Sequence, residues 1–447
     1  MVVQSTKDNT LKELENILIS KNEFVSSSLK EFYLFTVNHK TAPVSVREKF
    51  AIPEHKLQDA VKALKESCSI NSFLILSTCN RTEIYFKTNN YSQSINDVNN
   101  FFISYLGIEK KTVKEYSFVL NTNQAINHSF RVASGLDSLV IGESQVLSQV
   151  KAAYTVAQKE STLHSMLEIL FQNVLNTAKE VHKNTNISKN CQSISSAAID
   201  LANKIAGPLK TKQIMVLGAG KMAELALEHI VKLGGSKETI ALNRSPHRVI
   251  EFSEKYKIDS SVPFEDVYKA MNNVDIVITA TGAPHFILFA DQFNNVRKDP
   301  EKPLFIFDIS MPRNVDEEFT KLPNVKVMDI DSLQLIYNEI TKTNIEDIKN
   351  AESIISSGIN SFYKEISKET VSTIIKELKD RVENIRQEKL KQLTSSKSSF
   401  TPEEVDYITK NILNTLLHGP INSLKNSATN GLTNEKIEIL KDLFDLI

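Results

Sequence analysis

The chain lacks an excess of either charge. Its 53 Lys and Arg face 54 Asp and Glu, for a net charge of −1, so no global basic field marks a nucleic-acid partner and any RNA contact has to be local. Cysteine is scarce. Cys68, Cys79 and Cys191 form an odd set without metal-ligand spacing, which argues against a disulfide framework or a structural metal site and for a reducing, cytoplasmic compartment. No apolar run approaches the roughly 20 residues that span a membrane, so a soluble protein is expected. The first thirty residues carry Lys7, Asp8, Lys12, Glu13 and Glu15, which break up any signal-peptide core, and the acids speak against a transit peptide. Residues 10–19 read as a short helix before a Ser26–Ser28 linker.

At 447 residues the chain is too long for one core, and about 100–200 residues per domain suggests three. From Glu31 the pattern runs strand (Phe32–Val37), helix (Pro53–Ser67, with Pro53 in its first turn), strand (Phe73–Leu76), turn, strand (Ile84–Lys87), helix (Ile95–Leu106) and strand (Tyr116–Leu120). That βαββαβ order is the ferredoxin-like split βαβ plan. The turn is Ser77-Thr78-Cys79-Asn80-Arg81-Thr82-Glu83, which holds a thiol between two paired strands among polar neighbours. Thr78 and Asn80 can donate hydrogen bonds, and Arg81 can favour a thiolate or hold a carboxylate. The structural alternative is a small buried cysteine at a strand end. Asn38–Pro43, with His39, is a loop that can wall a pocket at the same end of the sheet.

Residues 128–149 are polar for so apolar a segment. Gly135 reads as a helix end and Asp137-Ser138 as the cap of the next helix. A long helix to about His182 comes after it, with Leu163, Leu167, Leu170, Val174 and Leu175 as core.

A second domain opens near Thr211. The strand Gln213–Leu217 runs into Gly218-Ala219-Gly220-Lys221-Met222-Ala223 and a helix to Leu233, the dinucleotide fingerprint with alanine in its third place. The next strand, Thr239–Leu242, ends in Asn243-Arg244-Ser245. Arg244 stands where an NAD site has an acid, which favours NADP. Strands at 275–282, 304–308 and 325–328 continue a doubly wound sheet, with Thr281-Gly282 ending the first of them at the carboxyl edge. From Asp331 to Lys391 the chain has no proline and one glycine, Gly358, and apolar residues recur at helical spacing. The basic residues from Lys376 to Lys391 alternate with acids and read as a solvated face. Thr401-Pro402-Glu403-Glu404 is a strong helix start.

Taken in order, Asn38–Pro43, Ser77–Tyr85, His128–Gln149, Gly218–Ala223, Asp308–Pro312 and Leu416–Pro420 resemble the glutamyl-tRNA reductase family over almost the whole chain from Phe32. The resemblance implies an α/β multidomain protein in a V-shaped homodimer. Its parts are an N-terminal extension (1–30), a ferredoxin-like catalytic domain (31–185), a Rossmann NADPH domain (186–330), and a long helix with an α-helical dimerisation domain (331–447). It implies NADPH-dependent reduction of glutamyl-tRNA to glutamate-1-semialdehyde, the first step of tetrapyrrole synthesis from glutamate, with Cys79 as nucleophile and His128 important for activity. Thr78, Asn80, Arg81, Ser138, Glu143, Ser144, Gln145 and Gln149 would hold the glutamyl group. Gly218, Ala219, Gly220, Lys221, Met222, Ala223, Asn243, Arg244 and Ser245 would hold the cofactor. Glu143-Ser144-Gln145 departs from the family's Glu-Pro-Gln, and losing the proline loosens that loop. The implied partners are glutamyl-tRNA, a second copy of the chain and, transiently, glutamate-1-semialdehyde aminomutase. Two other readings remain: an NADP-dependent oxidoreductase of a free small molecule, which needs neither Cys79 nor the arm, and a non-catalytic dimer that senses NADPH.

Overall fold

The computed structural model describes residues 31–138, 141–143, 145–187, 193–243, 252, 255–256, 258–333, 345–394, 401–430, 433–444 and 446. The 1–30 extension, Ser144, Cys191, Arg244, Ser245 and the linker around 336–340 lie outside them.

The first domain runs β1 (Phe32–Asn38), α1 (Val44–Phe50), α2 (Leu57–Ser67), β2 (Ser72–Ser77), β3 (Arg81–Lys87), α3 (Tyr91–Leu106), α4 (Lys110–Tyr116), β4 (Phe118–Asn121), α5 (Thr122–Ala133), α6 (Gln145–Lys159) and α7 (Ser165–Asn184). Its antiparallel sheet has the order β2-β3-β1-β4, the arrangement expected of a split βαβ domain. Helix α2 buries Leu57, Ala60, Val61 and Leu64, a 3-4 repeat that turns one stripe to the sheet. Phe32, Phe35, Phe50, Phe73, Phe86 and Phe102 fill the space behind it, each contributing about 1.5–3 kcal/mol of burial. Asn90 caps α3 by accepting from the Gln93 N–H at 3.2 Å, and Gly107 ends that helix at φ +69°, a conformation glycine adopts at little cost.

Three local readings are corrected. Pro53 precedes a single 3₁₀ turn, Glu54–Lys56, and the α-helix begins only at Leu57. The single helix expected up to His182 is two, α6 and α7, parted by a tight turn in which Ser161 takes φ +54°. Asp137-Ser138 caps no helix among the described residues, because the next described one begins at Gln145 and Asp137 is bound to Arg81 and Lys40.

The second domain runs α8 (Ile194–Ile205), β5 (Gln213–Leu217), α9 (Lys221–Lys232), β6 (Glu238–Leu242), β7 (Ser260–Ser261), α10 (Val267–Met271), β8 (Ile276–Thr279), α11 (Ala290–Val296), β9 (Leu304–Asp308) and β10 (Val325–Asp329). The parallel sheet has the order β10-β9-β8-β5-β6-β7. Counted within the domain this is 3-2-1-4-5-6, the doubly wound dinucleotide topology, with its switch point between β5 and β8.

Helix α12 (Ile345–Thr394) comes next, then α13 (Pro402–Asn430) and α14 (Thr433–Phe444). One end of α12 belongs to the first domain's core through Ala351, Ile355, Ile359, Phe362 and Ile366. The other packs Val371, Ile374, Ile375 and Leu378 against Leu417, Leu424, Ile437 and Leu440 of the last two helices. Gly358 marks its closest approach to α7, since a Cβ there would lie 2.1 Å from Thr177 Oγ1. Thr401 and Glu404 form the reciprocal capping box, with Thr401 N–H to Glu404 Oε2 at 2.9 Å and Glu404 N–H to Thr401 Oγ1 at 3.2 Å.

Candidate active site

The antiparallel pairing of β2 and β3 leaves Thr78-Cys79-Asn80 as the connection. It is closed by Thr78 N–H donating to Arg81 O at 2.8 Å and by Asn80 N–H donating to Thr78 Oγ1 at 3.1 Å. The Asn38–Pro43 loop does reach this end of the sheet, since His39 N–H donates to Asn80 O at 3.0 Å. Cys79 is half-buried.

Strand alternation puts Arg81, Glu83 and Tyr85 on one face of β3, where they form a buried charged cluster. Arg81 Nη1 reaches Glu83 Oε1 at 3.1 Å and Asp137 Oδ2 at 3.0 Å, and Nη2 donates to Asp137 O. Lys40 closes on the same Asp137. Glu83 also accepts from Tyr85 Oη at 2.6 Å and lies 2.6 Å from His128 Nε2. Burial alone would raise the Glu83 carboxyl, but His128, Arg81 and the Tyr85 hydroxyl outweigh it and hold the group at about 2. Against the same cost of burial, Arg81, His128 and Lys40 hold Asp137 well below the usual carboxylate range. Burial would lower the Arg81 pKa, yet Glu83 and Asp137 raise it, so the guanidinium stays charged. Its terminal nitrogens are therefore committed to the protein's own acids.

The thiol and its neighbours behave differently. Burial pushes the Cys79 thiol up to about 12, the charge of Glu143 adds to this, and Arg47 and Arg81 pull the other way. Burial likewise raises Glu143 to about 7 against the pull of Arg81. Desolvation, with Arg81 next in effect, lowers His39 to about 3, so its ring is neutral. Glu143 is held by the 135–142 loop, which closes by Gly142 N–H donating to Gly135 O at 2.9 Å. Gly142, at φ +90°, passes so near Ile187 O that a Cβ would sit 2.3 Å from it.

Among the described residues several buried polar atoms here have no hydrogen-bond partner: His39 Nδ1, Asn80 Oδ1, Ser138 Oγ and Gln145 Nε2. Buried polar groups are normally paired, so this group has bonding capacity for something polar. Thr78, Asn80, Arg81, Ser138 and Glu143 are buried, and Gln145 and Gln149 lie one turn apart on α6, partly exposed. His128, on α5, sits in the Arg81–Glu83 cluster. Residue-by-residue reading of the chain gave Glu83, Asp137 and Arg47 no role in the site. Alternation on β3 could have paired Glu83 with Arg81, but no local signal marks Arg47.

The cofactor-type residues gather at the switch point. Gly218 takes φ +117° and a Cβ there would fall 2.2 Å from Ala280 O, whereas one at Gly220 would meet nothing within 4 Å. The turn is thus pressed against β8 on one side and open on the other, in front of the first turn of α9, as a pyrophosphate requires. Ala223 is fully buried in the helix–strand contact. Met222 packs against the second domain's core and Lys221 pairs with Glu224 at 2.9 Å. Ala219 is buried and Asn243 directly follows β6.

The two domains meet beside the cysteine turn. Cys79 packs against the core of the second domain. Arg313, in the loop after β9, grips Glu48 of α1 with Nε and Nη2 at 3.0 and 2.9 Å. Arg47 of α1 grips Asp331, just past β10, with Nη2 and Nη1 at 2.8 and 3.2 Å. Asp308 supports the Arg313 loop by accepting from the N–H groups of Ser310, Asn314 and Val315.

A dinucleotide-binding domain docked onto a catalytic-type α/β domain defines an oxidoreductase. The pattern described as Glutamyl-tRNAGlu reductase, N-terminal domain, matches residues 35–185, Shikimate / quinate 5-dehydrogenase matches 200–336, and Glutamyl-tRNAGlu reductase, dimerisation domain, matches 350–446. Glutamyl-tRNA reductase from Carboxydothermus hydrogenoformans is 39% identical over 417 residues, covering 92% of each chain. Glutamyl-tRNA reductase 2 from Koribacter versatilis is 36% identical over 93% of this chain and 95% of its own. The solved structure of the Methanopyrus kandleri glutamyl-tRNA reductase is 26% identical, covers 92% of this chain and 99% of its own, and superposes with a TM-score of 0.49. The chain belongs to the glutamyl-tRNA reductase family. Among the described residues no helix is long and apolar enough to cross a membrane.

Proposed function

We propose that the protein reduces glutamyl-tRNA to glutamate-1-semialdehyde with NADPH, through a thioester on Cys79, as the first step of tetrapyrrole synthesis in the cytoplasm. The observation that carries this reading is the docking of the Cys79 turn against the dinucleotide domain, in a chain of this family. An ester is a poor hydride acceptor because resonance stabilises its carbonyl. Cys79 Sγ attacks the glutamyl carbon, the bond to the tRNA 3′ oxygen breaks, and the thiol proton leaves with that oxygen. A reduced nicotinamide held by the Gly218–Gly220 turn would supply a hydride to the thioester carbon, and a proton from solvent would complete the hemithioacetal. Cleavage of its carbon–sulfur bond then releases the aldehyde and returns the thiol. The unpaired atoms of Asn80, Ser138 and Gln145, with Thr78, Glu143 and Gln149, hold the glutamyl group. Arg81, fixed by Glu83 and Asp137, braces the turn beside it, and His128 moves protons at the edge of that cluster.

The Gly218–Gly220 turn and the first turn of α9 hold the pyrophosphate. Arg244 reads the 2′-phosphate, a charge-assisted contact of roughly 1.5–3 kcal/mol, so Arg244→Ala should raise KM for NADPH and leave that for NADH almost unchanged. The dimerisation domain pairs two copies. Tyr407, Ile408, Ile412 and Leu416 expose apolar surface on α13, while Leu417 is buried against α12. Transient transfer of the aldehyde to glutamate-1-semialdehyde aminomutase belongs to the same reading.

The test is charged glutamyl-tRNA with and without NADPH. Without it the enzyme should deacylate the tRNA slowly, with it a semialdehyde should form, and Cys79→Ser should lose both. Reduction that survives in Cys79→Ser would mean that hydride reaches the ester directly.

A further inference from the structure

We propose that Arg47 and Glu48 are positioning residues for hydride transfer. Their grips on Asp331 and Arg313 fix the second domain's cofactor edge against the Cys79 turn, and so decide how much thioester is reduced rather than lost to water. The inference rests on the thioester route of the proposed function. Arg47 and Glu48 are neighbours on α1 with opposite charges, and each finds its opposite on the second domain. Glu48 holds Arg313 at three points, Oε2 accepting from N–H and Nε at 3.1 and 3.0 Å and Oε1 from Nη2 at 2.9 Å. Arg47 holds Asp331 with Nη2 to Oδ1 at 2.8 Å and Nη1 to Oδ2 at 3.2 Å, and Val44 N–H donates to Oδ2 at 2.9 Å. Forked pairs of this kind fix direction as well as distance. Successive side chains on a helix diverge by about 100°, so the two grips point apart, and each resists rotation about the other. A misregistered docking would set Glu48 against Asp331 or Arg47 against Arg313, which like charges oppose.

Both ends of this clasp are anchored to the parts they would align. Helix α1 is tied to the two strands that flank the cysteine turn: Ile52 N–H donates to Ser77 Oγ at 2.9 Å, and Thr82 Oγ1 donates to Phe50 O at 3.0 Å. The Arg313 loop is tied to the carboxyl edge of the parallel sheet, where Thr281 N–H donates to Ser310 Oγ at 3.1 Å and Thr281 Oγ1 donates to Asn314 Oδ1. Thr281 follows Ala280, the residue pressed against Gly218 of the cofactor turn. Asp331 follows Ile330, which is sunk in the second domain's core. A series of hydrogen bonds thus runs from either side of Cys79 to the switch point. Hydride transfer demands near-contact of donor and acceptor, and a misplacement of about 1 Å can cost about a hundredfold. Hydrolysis has no such demand: water attacks the thioester carbon, the carbon–sulfur bond breaks, and the proton that water gives up restores the thiol. A loosened clasp therefore slows reduction and leaves the acyl group to water.

The test is Glu48→Arg in the full-length chain, given glutamyl-tRNA and saturating NADPH, with semialdehyde and free glutamate both counted. The ratio of semialdehyde to glutamate should fall about ten- to a hundredfold. NADPH affinity, read by fluorescence titration, and deacylation without NADPH should keep their parent values. Adding Arg313→Glu should restore the ratio, because the pair is remade with its charges exchanged, a repair that general loosening of the fold would not allow. Glu48→Gln keeps the size and one acceptor oxygen; it should move the ratio the same way by less, and it decides the matter if Glu48→Arg does not fold. An unchanged ratio in the folded variant, or a fall that Arg313→Glu does not reverse, would overturn the proposal alone. Reduction that survives in Cys79→Ser would instead sink the thioester route, and this proposal with it.

Discussion

The antiparallel sheet buries Arg81, Glu83, Asp137 and His128 beside its cysteine turn, whereas the parallel sheet presents the bare backbone of Gly218–Gly220 at its switch point and uses its buried carboxylate, Asp308, to brace a loop. Both sheets place their sites at the ends of strands. The difference is where the cost falls. Charges held in the first domain must be desolvated and kept in balance whether or not substrate is present, while backbone N–H groups at a helix start bind an anion with no charged side chain to maintain. The first domain is therefore the one whose stability responds to pH and to single polar substitutions. The second responds to added volume.

The strongest test of that contrast is Glu83→Ala. It leaves Arg81 and His128 facing Asp137 alone, and removing one partner from a buried ionic cluster costs about 3–5 kcal/mol. Urea denaturation should show that loss in the first domain while nucleotide affinity persists. A loss under about 1 kcal/mol would show that the cluster is not in balance through Glu83.

Glu143→Gln tests the opposite sign in the same site. The Glu143 carboxyl rises from 4.5 to about 7 on folding, so between those values the folded chain holds the extra proton and stability falls as pH rises. Above pH 7 the full penalty remains, roughly 3 kcal/mol for a shift of this size. Glu143→Gln should thus melt higher than the parent at pH 8 and alike below pH 4.5. Glu83, lowered to about 2, works the other way: its contribution is complete above 4.5 and is lost as pH falls towards 2. A variant that melts higher at every pH would mean that packing, not charge, is what Gln relieves.

Gly218→Ala has the smallest expected effect on stability and the clearest division of activities. The methyl group would press on Ala280 O in a backbone conformation that L-residues avoid, at about 1–3 kcal/mol. NADPH-dependent reduction should fall while NADPH-independent deacylation stays. Equal loss of both would show that the two domains do not divide the reaction.

Both topologies were legible in the sequence, because strand alternation, buried runs and the glycine turn are local signals. What escaped was decided at a distance. Asp137-Ser138 has the composition of a helix cap, but Arg81, 56 positions away, claims the aspartate. Helix α1 hides behind the Asn38–Pro43 loop, and its first N–H is met by an acid 287 positions on. Arg47 carries no motif, and its partner Asp331 lies 284 positions away. The roles of single site residues were legible only through family likeness, since a Thr, Asn or Gln near a turn has many possible partners.

The notch at Gly358 gives α12 an index mark. With Thr177 seated where a side chain would otherwise stand, the helix can neither slide nor spin on α7, and everything beyond is fixed by counting residues. A straight run from Ile345 to Thr394 measures about 75 Å, and one residue inserted between Gly358 and Leu378 would turn the far end by about 100° and advance it by about 1.5 Å. The exposed apolar residues of α13 would then face a new direction. Dimer geometry in this chain is a matter of gearing: length written in residues sets an angle, and that angle decides which surfaces of two copies can meet.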